Sequence, residues 1–157
     1  WVCLALFALA SFTDFLDGWL ARARDQITDF GRFLDPIADK ILVAAALVML
    51  AASGRLGELG EIAAVIILCR EFVIAGLREF LAGDDVAVPV SQLAKWKTAA
   101  QMVAIGFLLV GPGAPEAVPA VAIGEGLLWL AAALTVITGA GYLRAGIARI
   151  SGSRPGA

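Results

Sequence analysis

Four carboxylates stand out in an otherwise apolar chain: Asp14, Asp17, Asp35 and Asp39. The first two are three residues apart and the last two are four apart, so on helices each pair shares one face. If the two helices are neighbours joined by a turn, all four acids converge on one point. Four anions stay together only when a cation neutralises them. An all-oxygen donor set without His or thiolate suits hard divalent ions such as Mg²⁺ or Mn²⁺. Two such ions ~3.5–4 Å apart bind phosphate oxygens and stabilise an in-line phosphoryl displacement. Gly18 and Gly31 lie in the same segment and let a helix or a nucleotide approach the backbone. Two competing readings are that the acids solvate a loop beside Arg22, Arg24 and Arg32, or that they line the ion path of a transporter. Paired helical spacing at both helices speaks against the first, and clustering at one membrane face against the second.

The elements that position these acids are predicted to be membrane helices. The 157 residues are 61% hydrophobic and only 17% charged, against about a quarter charged in a typical soluble domain. Five apolar stretches approach the ~20 residues that a helix needs to span ~30 Å of hydrocarbon. They are Trp1 to about Arg22, Pro36 to Ser53, Glu61 to Ala82, Gln92 to Gly111, and Ala120 to about Gly146. All are expected to be helical, because lipid offers backbone groups no hydrogen-bond partner. Breaker residues mark two connections, Gly83-Asp84-Asp85 through Pro89-Val90-Ser91 and Gly111-Pro112-Gly113-Ala114-Pro115, with Ser91 as N-cap of the fourth span. Residues 1–150 form one domain with no internal repeat, and 151–157 read as a disordered tail. The chain opens at Trp1 already inside an apolar run with no basic segment before it, as expected of a cut within a membrane helix rather than of a signal peptide.

Charge sorts by connection. Arg22, Arg24, Arg32 and Lys40 flank the first, Arg78, Lys95 and Lys97 the third, and Arg144, Arg149 and Arg154 follow the fifth span. The second connection has only Arg55 and the fourth has no cation. The positive-inside rule then puts the first and third connections, the C-terminus and the aspartates on the cytoplasmic side of a cytoplasmic membrane. A net charge of −2 gives no basic field for nucleic acid, and the absence of His removes the commonest general base. Cys3 and Cys69 lie in apolar runs without a partner at metal-site spacing and are expected to be lipid- or core-facing thiols.

The arrangement Asp14-x2-Asp17-Gly18-x2-Ala21-Arg22-x8-Gly31-x3-Asp35-x3-Asp39 resembles the signature of the CDP-alcohol phosphotransferases at every fixed position. The resemblance implies an all-α polytopic bundle with five spans present of an expected six, working as a homodimer in a bacterial cytoplasmic membrane. It implies that a hydroxyl attacks the β-phosphorus of a CDP-linked donor and CMP leaves. Asp14, Asp17 and Asp35 would be metal ligands, and Asp39 both a ligand and the base for the acceptor hydroxyl. Gly18, Ala21 and Gly31 would line the cytidine pocket, supported by Arg22.

The acceptor is a separate question. Arg70 and Glu71 lie well inside the third span, where ionisable groups face a bundle interior or a wet cavity; they read as a structural ion pair or as part of a site. Glu71 and Arg78 fall on nearly the same face. Lys95 and Lys97 read as snorkelling anchors beside an interfacial Trp96, or together with Arg70, Arg78 and Arg144 as cations that hold an anionic acceptor. "REFVIAGLREFLA" and "VPVSQLAKWKTAAQMVAIGFLL" resemble the bacterial phosphatidylglycerophosphate synthase branch of the family. That implies CDP-diacylglycerol as donor, with its membrane-lipid tails, and sn-glycerol 3-phosphate as acceptor. Cardiolipin synthase and phosphatidylinositol phosphate synthase are the related alternatives.

The sidedness has a direct check. In a background with Cys3 and Cys69 replaced by Ser, Thr28→Cys should react with an impermeant maleimide only from the cytoplasmic side. Ala114→Cys should react only from the other side; the reverse pattern would invert the topology.

Overall fold

A computed structural model of the chain describes residues 1–23, 29–82 and 92–152; the side chains of 14–15, 17–23, 29–36, 39, 80–82, 145–146 and 148–152 are outside the description. Five α-helices account for nearly all of these residues, with no strand among them: α1 Val2–Ala23, α2 Asp29–Ala52, α3 Glu58–Ala82, α4 Gln92–Val110 and α5 Ala120–Gly152. Each expected span has its helix. Three boundaries differ from expectation by three residues or more, one being α3, which starts at Glu58 rather than Glu61. α2 starts at Asp29 and carries Pro36 internally, and α5 runs on to Gly152, so Ser151 and Gly152 are helical while 153–157 lie outside the described residues. The Ser91 cap and the Gly83–Pro89 connection also lie outside them.

By length and apolarity alone, the segments Gln92–Gly113 and Ala120–Arg144 can each cross a membrane. α1 and α2 contribute shorter uninterrupted stretches, Val2–Thr13 and Lys40–Ala52, because aspartates occupy the rest. In α3 the run is broken by Arg70 and Glu71. Apolar residues cover both faces of several helices. In α2, Val43, Leu47 and Leu50 are buried at i, i+4 and i+7 while Ile41, Val48 and Met49 are exposed, as befits helices with lipid on one side.

The chain divides into two compact units that share α4 and α5. The first comprises Trp1–Gly57 and Met102–Gly126, and in it α1 packs on α2. α2 ends in a glycine-dependent cap: Gly54 adopts φ +64°, its N–H donates to the Ala51 carbonyl at 2.9 Å, and the Arg55 N–H donates to the Leu50 carbonyl at 3.0 Å. Arg55 then reaches the last turn of α4 and donates to the Leu109 carbonyl at 2.5 Å, where a cation also complements the helix dipole. The one cation of the second connection is thus engaged in capping. Beside it, the Gly57 N–H donates to Glu125 Oε1 at 3.0 Å. The second and fourth connections therefore lie at one end of the helices, as an up-and-down order demands. α4 and α5 approach closely at Gly124, where a Cβ would stand 2.7 Å from Leu108 Cγ and 3.2 Å from the Ala104 carbonyl oxygen.

The second unit comprises Glu58–Gln101 and Leu127–Ala157. α3 turns Ala63, Ala64, Ile67 and Ile74 inward, and α5 turns in Leu128, Ala131, Ala132, Thr135, Thr138 and Tyr142. The inward face of α5 is marked by small and polar residues rather than by greater hydrophobicity, the pattern expected when the outer solvent is lipid.

Gly124 and Gly126 form a paired test in α5. Gly124→Ala should lower thermal stability in detergent by ~1–3 kcal/mol, since Leu108 must move. A Cβ on Gly126 meets nothing within 4 Å, so Gly126→Ala should be neutral or raise stability by up to ~1 kcal/mol through helix propensity. Equal effects at both positions would contradict the close approach.

Candidate functional site

The acidic positions all fall on helix. Asp14 and Asp17 are on α1, and Asp35 and Asp39 are on α2. Asp17 is six residues before the end of α1 at Ala23 and Asp35 six after the start of α2 at Asp29; Asp14 is nine before and Asp39 ten after. At 1.5 Å per residue, two packed helices joined through 24–28 carry the acids in matched tiers, ~9 Å and ~14 Å from the connection. Gly18, Ala21 and Arg22 belong to α1 and Gly31 to α2. The side chains of all eight residues lie outside the description. Among the described residues, no group of three or more His, Cys, Asp or Glu could hold a metal. Cys3 and Cys69 are free and exposed, which corrects the core-facing option and keeps thiols out of any described metal site.

The second unit contains a described polar cluster centred on one oxygen. Glu71 Oε1 accepts from Arg70 Nη1 at 3.0 Å, from Lys97 Nζ, and from Thr135 Oγ1 at 3.4 Å. Arg70 Nη2 donates to Thr138 Oγ1 at 2.9 Å, and the Thr138 hydroxyl in turn donates a hydrogen bond to the Leu134 carbonyl at 2.8 Å. Arg70 runs across Gly139, where a Cβ would be 3.0 Å from Nε and 3.3 Å from Cγ. α3, α4 and α5 are joined here through groups that are largely buried, with side-chain exposures of 14% for Arg70, 17% for Glu71 and 9% for Lys97. Lys97 is therefore no snorkelling anchor: its ammonium is drawn inward by a carboxylate. Two buried polar atoms, Arg70 Nε and Gln101 Oε1, have no partner among the described residues.

The five cations expected to hold an acceptor separate into two groups. Arg70 and Lys97 are committed to Glu71. Arg78, Lys95 and Arg144 are exposed and form no ion pair among the described residues. Arg78 lies over the Tyr142 ring, its Cζ 5.8 Å from the centroid. Glu71 and Thr135 are 64 residues apart, and so are Arg78 and Tyr142, so α3 and α5 run parallel with one register through both contacts.

Comparison with known proteins bears on the acidic segment directly. The profile of the CDP-alcohol phosphatidyltransferase family matches residues 1–137, which include every position of the aspartate pattern. The chain belongs to that family. This CDP-alcohol phosphatidyltransferase is 49% identical over 140 residues to a protein of Rickettsia bellii, covering 89% of this chain and 76% of the relative. It is 40% identical to one of Cereibacter sphaeroides, covering 92% and 80%, and 39% identical to one of Bacillus subtilis, covering 87% and 69%. All three bear the name CDP-diacylglycerol–glycerol-3-phosphate 3-phosphatidyltransferase.

Thr135, Thr138, Gly139 and Tyr142 do not stand out in the sequence as site residues. Their signal is nonetheless present: hydroxyls and a small residue recur at helical spacing inside the longest apolar run, where polar groups are placed at cost. Glu71→Leu should strip two buried cations of their shared counter-ion and destabilise the protein by ~3–5 kcal/mol. The triple variant Arg70→Met, Glu71→Leu, Lys97→Met should recover most of that loss in a detergent unfolding titration. A triple variant no more stable than Glu71→Leu alone would contradict the charge-compensation account.

Proposed function

We propose that this family member transfers the phosphatidyl group of CDP-diacylglycerol to sn-glycerol 3-phosphate and releases CMP. The observation that carries the reading is identity of 39–49% over most of both chains to proteins that bear this activity in their names. Asp14, Asp17, Asp35 and Asp39 fit two divalent cations, Mg²⁺ or Mn²⁺: the set is all-carboxylate, it sits in matched tiers on packed helices, and the chain has no His. When bound, such ions supply charge neutralisation at the donor's phosphates.

The chain's own residues then do the following. Gly18, Ala21 and Gly31 leave room for the cytidine against the α1–α2 backbone, and Arg22 supports it. Asp39 takes the proton of the acceptor's C1 hydroxyl as that oxygen attacks the β-phosphorus. The new P–O bond forms in line as the bond to CMP breaks, and CMP leaves with the bonding electron pair. Arg78, Lys95 and Arg144 hold the acceptor's phosphate by charge-assisted hydrogen bonds, while Arg70 and Lys97 fix the helices that carry them. The protein works as a homodimer in the bacterial cytoplasmic membrane, with the aspartates at the cytoplasmic face, where the soluble acceptor and the lipid donor meet.

CMP release from membranes containing the protein tests this reading. Release should require CDP-diacylglycerol, glycerol 3-phosphate and a divalent ion, stop on chelation and resume on Mg²⁺ addition. Asp39→Asn should lower it by ~10²–10⁴-fold. Faster release with phosphatidylglycerol or inositol phosphate as acceptor would replace the acceptor assignment, and undiminished release from Asp39→Asn would sink the mechanism.

A further inference from the structure

Arg78 lies two turns beyond Glu71 on nearly the same face of α3, and its guanidinium is used differently from that of Arg70. Arg70 spends Nη1 on Glu71 and Nη2 on Thr138. Arg78 makes no hydrogen bond or ion pair among the described residues; its contact is the Tyr142 ring at 5.8 Å. Tyr142 is the only Tyr of the chain and is 7% exposed, whereas Arg78 above it is exposed. A buried ring under an exposed guanidinium holds the cation by its face. The contact takes up no N–H group, so all five stay available, and a guanidinium's planar fork suits two oxygens of one phosphate. The parallel register that sets Thr135 on Glu71 sets Tyr142 under Arg78 one heptad later.

Resting on the acceptor reading above, we propose that Tyr142 is a positioning residue that pre-orients the Arg78 guanidinium for bidentate capture of the acceptor's phosphate. Tyr142 touches no substrate and acts through Arg78. Ordering Arg78 before binding removes part of the conformational cost of engaging the acceptor. Its loss should therefore be felt in acceptor binding and not in the chemical step.

The test is steady-state CMP release in membranes, with glycerol 3-phosphate varied at saturating CDP-diacylglycerol. Tyr142→Leu should raise the KM for glycerol 3-phosphate by ~3–10-fold, leaving kcat and the KM for CDP-diacylglycerol unchanged. Tyr142→Phe keeps the ring and should stay within ~2-fold of the parent. In the Arg78→Ala background, Tyr142→Leu should add nothing. Phenylalanines of increasing fluorination at position 142 keep the packing while draining the ring's negative face, so the acceptor KM should climb with each fluorine even if Tyr142→Leu does not fold. An unchanged acceptor KM across the fluorinated series, with Arg78→Ala still raising it, would overturn the role of Tyr142 alone. A Tyr142→Leu variant with lowered kcat and an unmoved acceptor KM would overturn that role too. If Arg78→Ala leaves the acceptor KM unchanged, the placement of the phosphate at Arg78 fails as well, and absence of CMP from the parent protein removes the proposed activity and this inference together.

Discussion

Glu71 Oε1 accepts hydrogen bonds from Arg70, Lys97 and Thr135, and so links α3, α4 and α5 through a single atom. In a chain with few charged residues, each ionised group placed between helices must find a counter-charge or a dense set of hydrogen bonds. Here one carboxylate serves two cations, and the remaining donor of Arg70 is taken by Thr138. The consequences extend along both partner helices. Gly139 must lack a side chain where Arg70 crosses, and α3 and α5 must run parallel in the register that puts the exposed Arg78 over the buried Tyr142 ring. The cluster thus consumes Arg70 and Lys97 in the scaffold.

The first unit solves a related problem at helix ends. The last carbonyls of a helix have no intrahelical partner and are met by caps, side chains or water. Gly54 closes α2 with its left-handed backbone, and Arg55, freed to extend away, closes α4 at Leu109. Between the helices, close contact comes from absence of side chain at Gly124. The acids of α1 and α2 are carried on this frame. Asp17 and Asp35 stand six residues from the ends of α1 and α2 that flank the first connection, and Asp14 and Asp39 stand nine and ten.

Much of this was legible in the sequence, because membrane helices obey severe rules. Span positions followed from apolar length, and the aspartate spacing led to the family that the comparison of residues 1–137 then gave. The start of α2 was not legible: apolarity begins at Pro36, whereas helix begins at Asp29, and polar residues outside the hydrocarbon are free to be helical without an apolar signal. Lys97 escapes the sequence for a different reason. Its partner is 26 residues away, and a lysine near a helix start looks the same whether it turns outward to water or inward to a carboxylate. The inward face of α5 is hidden because hydrophobicity does not distinguish the two sides of a helix bathed in lipid. Thr135, Thr138, Gly139 and Tyr142 mark that face only once small and polar residues are taken as the buried ones.

The central claim is that the acceptor's hydroxyl oxygen forms the new bond to phosphorus as CMP departs. Glycerol 3-phosphate labelled with ¹⁸O at its C1 hydroxyl tests it most directly, by mass spectrometry of the lipid product and of CMP after turnover in membranes. The mechanism predicts that the label is retained in full in the phosphodiester of the lipid product and that CMP is unlabelled. A lipid product without ¹⁸O, or label appearing in CMP, would contradict it.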